Sequence, residues 1–146
     1  IVNCKNSWYY MKSNQKWYYF DENGSFVADK IINLDGVEYY LSYNGELQTG
    51  SFMYWDDEKH SFVNAYADAT GVIYRVPGWH QSSGKWFYIQ EDGQCVSDGI
   101  YTIDGKRYFM DDTGIMQVGL INCRNSLSGM EYHLFTDASG ALVEKV

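Results

Sequence analysis

The sequence predicts an all-β fold of stacked β-hairpin repeats, a β-solenoid. Three observations predict it. Apolar and aromatic residues alternate over about five positions and stop at a glycine-containing turn, as in Lys85-Trp-Phe-Tyr-Ile followed by Gln-Glu-Asp-Gly93 and a short returning strand. That pattern recurs, with turn glycines at Gly24, Gly45, Gly71, Gly93, Gly114 and Gly140. No apolar period of 3.6 residues, the mark of a helix, is sustained anywhere.

The spacing of the repeats repeats in turn. The intervals between turn glycines run 21, 26, 22, 21 and 26 residues, and the whole set Gly24, Gly45, Gly71 recurs at one constant offset as Gly93, Gly114, Gly140. The chain is therefore six hairpin units in two 69-residue triplets, each of two short units and one long. Without gaps, residues 16–52 match residues 85–121 at 14 of 37 positions, Trp17/Trp86, Tyr19/Tyr88 and Gly50/Gly119 among them.

Within a unit, the residues four and six before the turn glycine share one face of the strand. They are mostly apolar, and Tyr18, Phe20, Tyr39, Leu41, Phe87, Ile89, Tyr108 and Met110 are expected to line the interior. Five before the glycine, on the other face, the residue is always aromatic: Tyr19, Tyr40, Tyr66, Tyr88, Phe109 or Phe135. These aromatics are expected mainly to pack between hairpins. Two residues past the glycine, Phe26, Leu47, Ile73, Cys95, Met116 and Leu142 are again expected to be buried. An isolated hairpin is marginal in water, whereas stacked hairpins bury their inner faces together.

The length fits a single repeat domain, residues 1–146. Residues 1–15 form a partial N-terminal repeat, 16–79 the first triplet and 80–146 the second. At the N-terminus two alignments stay open: Val2–Ser7 resembles Ile121–Ser126, and Trp8 alternatively matches Trp79 with two extra residues before Gly24. In the first long unit, residues 53–79, Tyr54-Trp-Asp-Asp-Glu58 is placed in an extra loop, either a sugar contact or a solvated turn. Pro77-Gly78-Trp79 marks the seam between triplets. With no initiator Met, signal peptide or membrane-spanning run, a chain that starts mid-repeat is expected to be a fragment of a larger secreted or surface protein.

Composition narrows the function. A net charge of −8 argues against nucleic acid and polyanions. Aromatics reach 18% of residues. Cys4, Cys95 and Cys123 match no zinc motif. Cys95 fills the slot of Phe26 and reads as a small buried apolar residue, and no bridge between Cys4 and Cys123 is expected. The acidic turns Asp21–Gly24, Glu91–Gly93 and Asp111–Gly114 lack the ligand count of a calcium loop and contain what tight turns require. His60, His80 and His133 stand in no nucleophile motif, and paired carboxylates occur only in turns. Neither an enzyme nor a metal or cofactor is expected.

Lys16-Trp-Tyr-Tyr-Phe-Asp-Glu-Asn-Gly24, Ile103-Asp-Gly-Lys-Arg-Tyr-Phe109 and Gly114-Ile-Met-Gln-Val-Gly119 resemble the cell-wall-binding repeat superfamily. That superfamily includes choline-binding repeats, glucan-binding repeats of glucosyltransferases and C-terminal repeats of large clostridial toxins, the last two being nearest. The resemblance covers nearly the whole chain. It implies a non-catalytic module of a secreted or surface protein of a Gram-positive-type bacterium, binding glycan or cell-wall polysaccharide and tethered to other domains, with no nucleic acid and no membrane insertion. The choline-binding pattern ends each repeat in Gly-Trp; here only Gly78-Trp79 keeps it.

Resemblance to the toxin repeats places the sugar where a long unit meets the next short one. The candidates there are Trp79, Trp86, Tyr88 and Tyr74 as ring faces, with Arg75 and Gln90 as hydrogen-bonding groups. Trp8, Trp17 and Tyr19 offer a partial N-terminal equivalent. Two alternatives stand beside sugar binding: a choline-binding cell-wall anchor, and a spacer or protein-adhesion stalk. Exposure of Trp17 and Trp86 in a groove separates binding from the stalk.

Overall fold

The computed structural model describes residues 5–125 and 128–143. The chain divides into two units, Ile1–Tyr74 and Arg75–Val146. The first holds the hairpins β1–β2 (Ser7–Met11, Lys16–Phe20), β3–β4 (Lys30–Leu34, Val37–Leu41) and β5–β6 (Gly50–Asp56, Ser61–Ala67). The second holds β7–β8 (Gly78–Ser82, Lys85–Ile89), β9–β10 (Gly99–Ile103, Lys106–Met110) and β11–β12 (Leu120–Arg124, Glu131–Phe135). All six are two-stranded and antiparallel, and no helix occurs among the described residues. One triplet further along the chain, β2, β3 and β4 recur as β8, β9 and β10.

The hairpins sit one step upstream of where the alternation placed them. Asp35-Gly36, Ser83-Gly84 and Asp104-Gly105 have positive φ at both positions and close the two-residue turns of β3–β4, β7–β8 and β9–β10. Turns of this hand match the strand twist. The Asp/Asn-rich glycine turn then sends the chain back for a single bridge. It joins the residue four before the glycine to the residue two after it, in all six units: Phe20–Phe26, Leu41–Leu47, Ala67–Ile73, Ile89–Cys95, Met110–Met116 and Thr136–Leu142. The turns are closed from within. Asp21, Asp68, Asp111 and Asp137 each accept two backbone N–H bonds through Oδ1, at 2.8–3.1 Å.

Successive hairpins are joined through the same register. Leu47 N–H donates to the Trp17 carbonyl at 2.9 Å, and Ile73 N–H to that of Glu38 at 3.0 Å. In the second unit Met116 N–H donates to Trp86 at 2.8 Å and Leu142 N–H to Arg107 at 2.8 Å. Within each unit the later turn glycines then lie over the post-turn residue of the preceding hairpin. A Cβ on Gly45 would meet Phe26, and one on Gly114 would meet Cys95 Sγ at 2.9 Å.

Burial follows the expected face with specific departures. Leu41, Phe87, Ile89 and Met110 have no exposed surface, whereas Tyr18, Phe20, Tyr39 and Tyr108 are half-buried. On the opposite face Tyr40 and Phe109 are buried by packing between hairpins, as expected: Tyr40 stacks on Phe52 at 5.0 Å and Phe109 leans on Tyr132 at 4.8 Å. The opposite face of one hairpin is thus covered by the next. Phe26, expected inside, is exposed beside Tyr18. Tyr54–Asp56 belong to β5 rather than to a loop, because the first long unit spends its extra residues on longer strands; Tyr54 is buried with Val63, Ala65, Ala67 and Ile73.

Candidate functional site

Trp8 settles the N-terminal alignment. It faces Tyr19 across β1–β2, as Trp79 faces Tyr88 across β7–β8. Tyr19 and Tyr88 hold the same place in successive triplets, so Trp8 is the counterpart of Trp79. The first loop, Lys12–Gln15, has four residues against two in Ser83-Gly84, which supplies the two extra residues.

The two hairpins hold the same aromatic arrangement. Trp8 meets Tyr19 at 5.1 Å and 69° and Tyr39 at 5.0 Å and 71°. Trp79 meets Tyr88 at 5.3 Å and 70° and Tyr108 at 4.9 Å and 71°. All four are edge-to-face contacts, the arrangement the ring quadrupole favours. Trp17 and Trp86, the cross-strand neighbours of Tyr10 and Gln81, remain 45% and 41% exposed.

Each arrangement walls an open recess. In the first unit a recess of about 590 Å³ is lined by Trp8, Trp17, Tyr39, Leu47 and Thr70, and also by Gln15, Lys16, Thr49 and Ala69. In the second, a recess of about 280 Å³ is lined by Trp79, Trp86, Tyr108, Met116 and Ser139. Those five correspond one to one with the first five of the other recess. Three consecutive units build each: two tryptophans from one hairpin, a tyrosine and a Leu or Met from the next, and a hydroxyl from the turn of the third.

The backbone explains why the walls meet. The bonds from Leu47 to Trp17 and from Met116 to Trp86 carry the aliphatic side chain against the tryptophan. Gly71 and Gly140 cover Leu47 and Met116 so closely that a Cβ would stand 2.7 and 2.5 Å from them. The rim hydroxyls are held alike: Thr70 donates to Asp68 Oδ1 and Ser139 to Asp137 Oδ1, both at 2.6 Å. Burial acts to raise the Asp68 pKa, but the bonds from Thr70, Val72 and Gly71 outweigh it, and the carboxyl lies below its ordinary value. The Ser139 hydroxyl chiefly lowers that of Asp137. Both recesses therefore carry an ionised carboxylate behind the rim hydroxyl.

Of the expected site residues, Trp79 and Trp86 come together in one recess and Trp8 and Trp17 in the other. Tyr88 and Tyr19 stand behind them against Trp79 and Trp8. Tyr74 belongs to the first unit, 6.2 Å from Tyr66. Arg75 reaches the Gly93 carbonyl at 3.4 Å, and Gln90 opens that same turn, exposed; neither lines the recess. Tyr39, Tyr108, Leu47, Met116, Thr70 and Ser139 were not expected at a site. The available signal was that each pair keeps its chemistry from one triplet to the next. Among the described residues no group of three or more His, Cys, Asp or Glu is placed to hold a metal ion.

Comparison with known proteins agrees with this geometry. The model of the putative cell wall binding repeat matches residues 2–14, 12–26, 78–95 and 101–116. Three of the matches end at a bridge residue, Phe26, Cys95 or Met116. Glucosyltransferase-S of Streptococcus mutans is 33% identical over 132 residues, 81% of this chain and 9% of that protein. Its Streptococcus downei counterpart is 28% identical over 77% of this chain and 8% of its own length. The chain thus spans less than a tenth of the curated relatives it matches. Choline binding protein F of Streptococcus pneumoniae superposes with a TM-score of 0.55 at 24% identity, over 94% of this chain and 42% of that one. CbpJ of Streptococcus pneumoniae gives 0.55 at 25% identity over the same shares. Residues 2–26, 78–95 and 101–116 thus match the putative cell wall binding repeat, and the fold is similar to that of choline binding protein F.

Proposed function

We propose that this chain is a non-catalytic, carbohydrate- or cell-wall-polymer-binding module of a secreted or surface protein, its hairpins forming a β-solenoid. The observation that carries this reading is the recurrence, once in each unit, of one recess with five corresponding walls, one of them an exposed tryptophan. Packing alone does not call for tryptophans left more than 40% exposed. Apolar sugar faces would stack on Trp17 and Trp86, and the rim hydroxyls would bond sugar hydroxyls. Each site is open and weak by itself; two on one chain gain through multivalency. The glucosyltransferase relatives favour a glucan-like polymer and attachment to further domains. Tyr88 and Tyr19 serve in this reading by fixing Trp79 and Trp8.

A second reading has its own observation. Trp79 stands at 82° to Trp86 and 71° to Tyr108, so the rings are walls rather than a platform. Walls of this kind suit a compact quaternary ammonium such as choline. Calorimetric titration of isomaltotetraose, a peptidoglycan fragment and choline against the wild type and the Trp17→Ala, Trp86→Ala and doubly substituted proteins tests both. Each single change should remove one site, weakening it by about 30-fold or more, as loss of an aromatic anchor does elsewhere. Undiminished binding by a folded double variant sinks both readings.

A further inference from the structure

The two recesses are built alike but are not alike in size or polarity. The second presents Trp79, Trp86, Tyr108 and Met116 with one hydroxyl, that of Ser139. The first has Thr70 in the place of Ser139, adds Gln15, Lys16, Thr49 and Ala69 to the corresponding walls, and has about twice the volume. At about 590 Å³ it lies inside the usual range of small-molecule sites, roughly 300–1,000 Å³; at about 280 Å³ the second lies just below it.

Thr49, where the second triplet has Val118, accounts for part of the difference, and one loop accounts for the Gln15 and Lys16 part. β7–β8 closes on the two-residue turn Ser83-Gly84, while β1–β2 closes on Lys12–Gln15. The longer loop has a defined shape. Gln15 N–H donates to the Met11 carbonyl at 2.9 Å, and Gln15 takes φ 58°. The Asn14 amide donates to the Tyr18 hydroxyl at 2.8 Å, and Asn14 Oδ1 accepts from Lys16 N–H at 3.1 Å. So held, the loop brings Gln15 and Lys16 to the mouth beside Trp17. Lys85, the counterpart of Lys16, does not line its recess.

We infer that the Lys12–Gln15 loop makes the first recess an extended, hydrogen-bonding sugar site. It takes two or more linked residues of a neutral or anionic glycan, whereas the second recess admits one compact group. This rests on the reading of both recesses as ligand sites. A carboxamide, an ammonium and two threonine hydroxyls around paired tryptophans supply the donors and acceptors that a polyhydroxylated ligand needs, and the Lys16 ammonium, which the second recess lacks, offsets the Asp68 carboxylate behind Thr70. The second recess has no charged side chain in its wall.

The five tryptophans allow a site-resolved test on the intact chain. Indole N–H resonances of Trp8 and Trp17 report the first recess, those of Trp79 and Trp86 the second, and Trp55 is an internal control. Isomaltotetraose should shift Trp8 and Trp17 at tenfold or more lower concentration than Trp79 and Trp86, while glucose should discriminate little. Replacing Lys12–Gln15 with Ser-Gly should bring the two midpoints within about threefold. Gln15→Ala with Lys16→Ala, which keeps the loop, should narrow the gap in the same direction if the shortened loop fails to fold. Equal midpoints in the wild type, or a ratio unchanged in the folded variants, overturn the inference and leave the binding reading standing. Movement of Trp79 and Trp86 alone also overturns it. No shift at any of the four with isomaltotetraose, choline or a peptidoglycan fragment overturns the binding reading itself.

Discussion

Trp55 and Phe62 face each other across β5–β6 with ring centroids 5.2 Å apart, and in the second triplet Arg124 and Glu131 occupy the same cross-strand positions as an ion pair at 2.8 Å. Both pairs are exposed. The long hairpin therefore folds with either chemistry on its outer face. An exposed ion pair contributes about 0–1 kcal/mol and an aromatic pair about 0.5–1.5 kcal/mol beyond its area. Exchanging Trp55→Arg together with Phe62→Glu should thus lower stability by no more than about 1 kcal/mol. Denaturant unfolding measures it; a loss of about 3 kcal/mol or more, the scale of a core aromatic, would show that the aromatic pair anchors the first unit.

Phe87 and Tyr18 occupy equivalent places at different depths. Phe87 has no exposed surface and lies nearly parallel to His80 at 5.6 Å, while Tyr18 is half-buried. Phe87→Ala should cost about 3–5 kcal/mol, the range for a large core aromatic. Tyr18→Ala should cost clearly less, because part of its surface is already in water. Equal losses in chemical denaturation would contradict the burial difference.

The same pair shows what the sequence makes legible. The alternation that put Phe87 inside is local, set by a single strand, and so are the turn glycines; the positions four before and two after each glycine, aligned by period alone, are the six bridge pairs. Trp17 and Trp86 of the recesses were legible as exposed members of a repeated motif. Tyr39, Tyr108, Leu47 and Met116 were not. They occupy positions that read as interior, and they become walls only because one hairpin lays its inner-face tyrosine against the outer-face tryptophan of the one before. That is a fact of stacking, which no single strand's pattern encodes. Phe26 misleads in the converse way: its slot is buried at Ile73 and Cys95 and half-buried at Leu47, Met116 and Leu142, yet Phe26 itself is exposed.

Two glycines separate backbone strain from crowding. Gly105 (φ 80°) closes the β9–β10 turn and a Cβ there would meet nothing within 4 Å, whereas on Gly114 (φ 87°) it would stand 2.9 Å from Cys95 Sγ and 3.1 Å from the Val96 carbonyl oxygen. Gly105→Ala should cost about 1–2 kcal/mol, the left-handed penalty for a residue with a Cβ. Gly114→Ala should cost more, since its obstacles include a backbone oxygen beneath a buried thiol. Comparable melting temperatures for the two variants would refute the close approach of successive hairpins at this turn.

Cys95 and Cys123 should differ sharply in reactivity. Cys95 is 4% exposed; burial, reinforced by the Asp111 charge, pushes its thiol up to about 12. Cys123 is exposed, and slight burial together with Asp98, Asp111 and Asp112 raises its pKa too. The thiolate is the reacting form, so alkylation at pH 8, read by peptide mass mapping, should label Cys123 slowly and leave Cys95 unmodified until the chain unfolds. The sign of the pH dependence follows from the same shift. Above the ordinary thiol value of 9.0 the unfolded chain releases a proton that folded Cys95 keeps to about 12, so stability should fall as pH rises through that window. Cys95→Ala should remove that part of the alkaline loss, at the cost of the thiol's packing under Gly114. Rapid labelling of Cys95 in the native protein, or an alkaline stability profile unaltered by Cys95→Ala, would count against the buried thiol.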